Sequence, residues 1–467
     1  MIKFGTDGWR GLIARDFTFE NLSIVALATA RYINKNLNDK RPVVVIGYDT
    51  RFLSRQFAEE VAMIMAWQGI IVHLTRDISS TPQISFHTKS KSATLGVVIT
   101  ASHNPAVYSG YKIKGNFGGP ATPEQIDEIE TYVRRIESRV PQFKHKSLEH
   151  YIEEKQIRIF DAKESYVRGL KKKIDFNAIK KANHKVLYDP MHGAGIDFMK
   201  NLIDNFDEIH GDYNPSFGEI DHPEPIAECL YELIDRMKQG GYDIAFATDG
   251  DADRIGAVDH LGNFVDSHKI FMIFLKYLYE NKGRKGKVVK TVSLTSMVDA
   301  YCEVNEIELV QTPVGFKHIA KEMINGKVLI GGEESGGIGM SLHIPERDGH
   351  FNAMFLLEIM AVRNMSLKEL CDELDEEFGQ HRYHRRDIRV TEKEKKEIIA
   401  ACKKRPNEIG RFKVESMDTT DGFKFFFEGG GWLLIRASGT EPLFRFYAEF
   451  DSMSKVNELL DEGIALR

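Results

Sequence analysis

Three times in this chain an uninterrupted apolar run ends in a loop of small and charged residues. Leu95-Gly-Val-Val-Ile-Thr100 leads into Ala101-Ser-His-Asn-Pro105, and Tyr242-Asp-Ile-Ala-Phe-Ala-Thr248 into Asp249-Gly-Asp-Ala-Asp-Arg254. Lys327-Val-Leu-Ile330 leads into Gly331-Gly-Glu-Glu-Ser-Gly-Gly337. A strand that is apolar at every position, not at every second one, has to be covered on both faces. Helices supply that cover. Thr18 can cap one with Leu22, Val25, Ala26 and Ile33 on one face, and Ser54 opens another that stops at Gly69, with the strand Val43–Gly47 between them. Strand-helix-strand alternation of this kind implies right-handed βαβ units and a mostly parallel sheet. In such sheets ligands bind beyond the carboxyl ends of the strands, where all three loops lie.

The alternation recurs around Val186–Asp189 with Asp243–Ala247, and again through Lys287–Val292, Glu308–Val310 and Lys327–Ile330. At 467 residues the chain has room for about three domains. The charged segments Val140–Glu154 and Phe378–Arg386 read as linkers. Beyond the second, Asp387–Val390, Gly422–Phe427, Trp432–Ile435 and Phe444–Phe450 are strand candidates with two helices, a small α+β domain. The 63 basic and 69 acidic residues leave a net charge of −6, which speaks against a nucleic-acid or membrane-surface binder. The apolar runs fall far short of the ~20 residues of a spanning helix. The start lacks the apolar region of a signal peptide, and four scattered cysteines make neither a disulfide framework nor a CxxC site. A cytoplasmic protein is expected.

Each loop suggests its own chemistry. Ser102 follows a buried strand and can act as a nucleophile if a neighbour activates it, with His103 and Asn104 nearby. Lys112, ten residues on, can transfer a proton if its pKa is lowered. Asp249, Asp251 and Asp253 place three carboxylates at alternate positions, able to converge on one hard cation. Arg254 at the sixth position and His260 at the twelfth exclude an EF-hand, so Mg²⁺ shared with a phosphate fits better. Glu333 and Ser335 suit vicinal sugar hydroxyls, and Arg347 follows as a possible anion contact. In the tail, Arg436-Ala-Ser-Gly-Thr440 with Arg445 close behind makes a phosphate nest.

Taken in order, Gly5-Thr-Asp-Gly-Trp-Arg10, Thr100-Ala-Ser-His-Asn-Pro105, Asp249-Gly-Asp-Ala-Asp-Arg254, Gly332-Glu-Glu-Ser335 and Arg436-Ala-Ser-Gly-Thr440 resemble the α-D-phosphohexomutase superfamily, nearest to its phosphoglucomutases. The resemblance runs from Phe4 almost to the C-terminus. It implies three related α/β domains with mixed, mostly parallel sheets and a C-terminal α+β domain around a central cleft. The corresponding ranges are 1–148 with the phosphoserine loop, 149–259 with the metal loop, 260–376 with the sugar-binding loop and 377–467 with the phosphate-binding loop. It further implies phosphoserine at Ser102, catalytic roles for His103, Lys112 and Arg10, and Mg²⁺ held by Asp249, Asp251, Asp253 and the Ser102 phosphoryl group. The implied substrate contacts are Arg254, Lys317, Glu333, Ser335, Arg347, Arg436, Ser438, Gly439, Thr440 and Arg445.

The activity implied is interconversion of glucose 1-phosphate and glucose 6-phosphate through a hexose 1,6-bisphosphate, which doubles as activator, in a monomer or homodimer. A mannose-specific or bispecific mutase is the alternative. Bispecific members resemble Gly-Glu-Met-Ser-Gly-His in the sugar loop and glucosamine mutases Gly-Glu-Gln-Ser-Gly-His, whereas Glu334 and Gly337 stand at the variable positions here. The missing histidine removes one ligand or acid/base contact. Two rival classes are a metal-dependent sugar phosphatase and a catalytically dead sugar-phosphate sensor. The second phosphate site argues against the first, and intact Ser102, Lys112 and aspartates argue against the second.

Overall fold

In the computed structural model, residues 2–5, 7–36, 41–437 and 443–466 are described. They form four sheets in chain order. The first has six strands in the order Trp9–Leu12, Tyr108–Gly115, Leu95–Ile99, Val43–Tyr48, Ile71–Thr75, Ile157–Phe160. The second runs Phe264–Val265, Ile255–Asp259, Ile244–Thr248, Val186–Asp189, Phe206–Glu208, and the third Leu309–Thr312, Lys287–Thr291, Val328–Gly332, Ile338–Met340. The fourth, Arg382–Arg389 to Glu408–Ile409, is antiparallel throughout.

The apolar runs form the parallel centres of the first three sheets, as their double-sided burial requires. Each centre then gains an antiparallel neighbour. Leu95–Ile99 pairs with Tyr108–Gly115, Ile244–Thr248 with Ile255–Asp259, and Val328–Gly332 with Ile338–Met340. The three chemically unusual loops are therefore hairpin connections in equivalent places, each folding back from a buried strand end.

One expected boundary and one expected linker change. The boundary at 148/149 does not hold, because Ile157–Phe160 is the sixth strand of the first sheet, parallel to Ile71–Thr75. The segment Phe378–Arg386 is not a plain linker. From Arg382 on it is the edge strand of the fourth sheet, its cations engaged by carboxylates such as Asp461 and Asp387.

Cores do not follow the sheets one to one. The first sheet and its helices enclose their own, from Ile2 to Ile157, and the fourth encloses another from Val390 to Leu460. Between them a single continuous core joins Tyr166, Tyr188 and Phe246 of the second domain to Phe271, Phe355 and Leu374 of the third. Among the described residues no helix is long and apolar enough to cross a membrane.

Candidate active site

Ser102 sits where the hairpin leaves the strand Leu95–Ile99, in the left-handed region at φ 53°. Non-glycine residues held there cost about 1–3 kcal/mol and persist only where the surroundings over-determine them. The surroundings here are Arg51. Its Nη2 donates to the carbonyls of Ser102 and Asn104, both at 2.6 Å, and its Nη1 to those of Pro105 at 2.8 Å and Tyr108 at 3.0 Å. Nε pairs with Asp49 at 3.1 Å, and Phe217 packs on the guanidinium face 4.8 Å away. Sequence reasoning missed Arg51. The one local sign was a charged pair, Asp49 and Arg51, immediately after the apolar strand Val43–Tyr48.

The Ser102 hydroxyl donates to Asp249 Oδ2 at 2.8 Å, so the first two loops meet directly. Gly250 permits it: a Cβ there would lie 2.4 Å from the Ser102 carbonyl oxygen. Asp249, Asp251 and Asp253 are fully buried, and each offers a ligand oxygen within 4.8 Å of the others'. Burial, then repulsion from Asp253 and Asp251, pushes the Asp249 carboxyl well above the carboxylate range. Asp251 Oδ1 and Asp253 Oδ1 are buried without a hydrogen-bond partner. Orphaned hard oxygens on a cluster of acids are the donor set a small divalent cation takes, so these residues fit Mg²⁺.

Lys112 does not match the lowered pKa expected of a base. Its Nζ lies 2.8 Å from Asp251, 3.1 Å from Asp253 and 2.8 Å from Asp7. Burial alone would pull its pKa down, but the three carboxylates outweigh it and hold the amine well up, as an ammonium. His103 is the reverse case. Burial, then the charges of Arg254 and Arg10, keep its ring well below the usual imidazole range, and Nδ1 is enclosed with no partner. The loop holds a neutral imidazole.

Arg10 lies opposite Gly110 on the strand Trp9–Leu12 and donates to the Asn104 side chain. Arg254 Nη1 donates to Glu224 at 2.8 Å, leaving Nε buried without a hydrogen-bond partner, 4.0 Å from Asp249 and from Asp253. Arg347 is not the free anion contact expected. Its Nη1 donates to Glu333 at 2.9 Å and its Nη2 to Asp7 at 2.7 Å and Asp253 at 2.6 Å, binding carboxylates from three domains. The vacancy left by the missing histidine explains how it reaches them. A Cβ on Gly337 would lie 2.3 Å from Arg347 Cδ, so the arginine stem fills that space. Asp7 and Glu224 were also missed by sequence reasoning, since each works through a partner more than twenty residues away.

Ser335 Oγ is buried without a partner in the third loop, beside Glu333. Lys317 stands in the first turn of the helix Phe316–Asn325 and lines, with Asp7 and Gly8, a cavity of about 210 Å³. In the tail, Arg436 and Arg445 stand directly opposite each other on paired strands. Like charges so placed repel, and an anion between them relieves the repulsion. Each is steadied from one side, Arg436 by Asp421 at 2.7 Å and Arg445 by Asp387 at 3.4 Å. Ser438, Gly439 and Thr440 lie outside the described residues. From the neighbouring edge strand, Arg385 reaches to 3.8 Å from Glu224, linking the tail to the group that orients Arg254.

Known proteins give this arrangement a context. Models of phosphoglucomutase/phosphomannomutase α/β/α domains I, II and III match residues 1–140, 164–262 and 266–378, and that of the C-terminal domain matches 387–465. A phosphoglucomutase/phosphomannomutase of Thermococcus kodakarensis is 31% identical over 99% of this chain and 98% of its own. A phosphoglucosamine mutase of Bacillus cytotoxicus is 32% identical over 97% and 96%. A Thermus thermophilus structure described as a phosphomannomutase superposes with a TM-score of 0.86 at 33% identity, covering 100% of this chain and 98% of that one. With four domain matches in order and relatives above 30% identity along nearly the whole length, the chain belongs to the phosphoglucomutase/phosphomannomutase family of phosphohexomutases.

Proposed function

We propose that this mutase interconverts hexose 1- and 6-phosphates, glucose phosphates by preference, through phosphoserine 102 and an enclosed hexose 1,6-bisphosphate. The observation that carries this reading is the contact of Ser102, held in a strained turn, with the buried aspartate cluster at 2.8 Å. Asp249, Asp251, Asp253 and the Ser102 phosphoryl group would hold Mg²⁺, which when bound neutralises charge on the transferring phosphoryl group.

The chain's own residues do the rest. Glu333 and Ser335 present an acceptor and a hydroxyl to the sugar. Arg254 Nε and Arg10 offer positive charge towards the phosphoryl oxygens. The free 1- or 6-hydroxyl attacks phosphorus, the bond to Ser102 Oγ breaks with its electron pair going to that oxygen, and the hydroxyl proton passes by way of neutral His103 to Ser102 Oγ, restoring the serine hydroxyl. Lys112 stays protonated, keeps Asp251 ionised and pairs with Asp253. The bisphosphate then turns and returns its other phosphoryl group to Ser102, while Arg436 and Arg445 hold whichever phosphate is not reacting. A phosphatase has no use for that second site.

Peptide mass spectrometry should find phosphate on Ser102, and Ser102→Ala should lose nearly all turnover. Mutase rates on the 1-phosphates of glucose, mannose and glucosamine with Mg²⁺ decide the substrate. Equal or better efficiency on either of the last two would overturn the glucose preference.

A further inference from the structure

Glu334 stands between Glu333 and Ser335 in the third loop, and its own contacts are to Ser267 and Ser293. Its backbone carbonyl accepts from the Ser267 hydroxyl and its carboxylate from the Ser293 hydroxyl. Ser293 is fully buried in the segment 292–296, which follows the strand Lys287–Thr291. That segment is also where the tail domain docks. The Val292 carbonyl accepts from tail Lys424 Nζ at 2.7 Å, and Val292 packs against Trp432, Leu434 and Tyr447. Ser296 donates through its amide at 3.0 Å, and through its hydroxyl, to tail Glu449. Trp432 Nε1 at 3.1 Å and His381 Nδ1 at 3.2 Å hold the same Glu449 oxygen. Within the third domain, Thr295 is pinned by His268 at 3.0 Å and Lys290 at 3.1 Å. Hydrogen bonds therefore join the tail to the segment 292–296, and that segment to Glu334 of the sugar loop.

We propose that Glu334, Ser293 and Ser296 are positioning residues that fasten the 333–337 loop to the docked tail domain, so that sugar recognition and distal-phosphate binding are set together. The proposal rests on Glu333 and Ser335 being the sugar contacts. The separate partners along the loop support it: Glu333 is held by Arg347, whereas Glu334 is held by Ser267 and Ser293 and is the handle. Spatial continuity alone does not demonstrate coupling, so the test is a double-mutant cycle.

Steady-state kinetics on glucose 1-phosphate with Mg²⁺, using the full chain, are measured for Ser293→Ala, Glu334→Ala, Ser296→Ala and the pairs. Ser293→Ala and Glu334→Ala should each raise KM about tenfold, as loss of one hydrogen bond to a charged group predicts, with kcat and Ser102 phosphate occupancy nearly unchanged. The pair should be no worse than the worse single variant. Ser296→Ala should raise KM less and be non-additive with Glu334→Ala. Glu334→Gln, whose amide oxygen still accepts from Ser293, should recover most of the parent KM.

Strict additivity, or a fall in kcat at constant KM, would overturn the proposal. If Ser293→Ala fails to fold, as a thermal melt will show, the Ser296→Ala and Glu334→Ala cycle decides alone. Glu333→Ala separates the two levels. If it leaves KM unchanged, the sugar-contact reading fails. If it raises KM while Ser293→Ala and Glu334→Ala do not, only the coupling fails.

Discussion

Replacing Arg51 with lysine keeps the charge and tests whether the fork of the guanidinium is what holds the serine loop. The guanidinium makes five hydrogen bonds, four to carbonyls of residues 102 to 108 and one to Asp49. An ammonium has three donors, so at least two of those bonds are lost. At about 1.5–3 kcal/mol for each bond to a charged group, the low end of the loss is about 3 kcal/mol. That is comparable to the strain of about 1–3 kcal/mol for a serine held at positive φ, so the balance keeping Ser102 in its turn is removed. A deficit of about 3 kcal/mol in the competent loop population corresponds to roughly a hundredfold fall in kcat. The assay is mutase turnover in both directions, with hydrogen exchange followed on a peptide spanning residues 100–108. Turnover within about threefold of the parent, with unchanged exchange, would refute the assignment of loop order to Arg51.

Asp251→Asn removes one negative oxygen from the cluster, so the Mg²⁺ concentration for half-maximal rate should rise at least about tenfold, and a chelator should silence the parent enzyme until Mg²⁺ is restored. Gly337→Ala puts a methyl group 2.3 Å from Arg347 Cδ and should displace the arginine from Glu333 and Asp253, lowering kcat/KM by about tenfold or more in steady-state assays. Burial raises the Glu208 carboxyl from its ordinary 4.5 to about 7. The folded chain therefore keeps that proton where the unfolded chain has lost it, and stability falls as pH rises across this window. Glu208→Gln cannot ionise, so its melting temperature should match the parent's near pH 4.5 and exceed it at pH 8.

Where the chemistry was local, the residues announced it. Ser102 and the three aspartates each follow a strand too apolar to lie at a surface, and the structure brings them into contact. The strand Tyr108–Gly115 was illegible because it carries Lys112 and Lys114, which look solvated yet are 1% and 0% exposed. Their burial is tolerable only because Asp7, Asp251, Asp253 and Glu346 converge on them from three separate stretches of chain. Arg51 was hidden for a related reason: its partners are mostly backbone carbonyls, which no residue type advertises. The edge strand Arg382–Arg389 looked like a linker since, apart from Asp387 within it, the carboxylates that meet its cations lie on other elements or domains.

The undivided core between the second and third sheets bears on how members of this family can be recombined. Tyr166, Tyr188 and Phe246 share one packed interior with Phe271, Phe355 and Leu374, so a crossover near residue 266 would splice two half-interiors that never co-evolved. Interiors this closely packed lose stability with even a one-methylene mismatch. The exchangeable modules of the chain are accordingly three: the first domain through Phe160, the joined second and third, and the tail from Arg382. A chimera that respects those seams keeps the three large interiors whole and has the small cluster of Val292 with Trp432, Leu434 and Tyr447 to match across a seam. One that follows the four sheets does not.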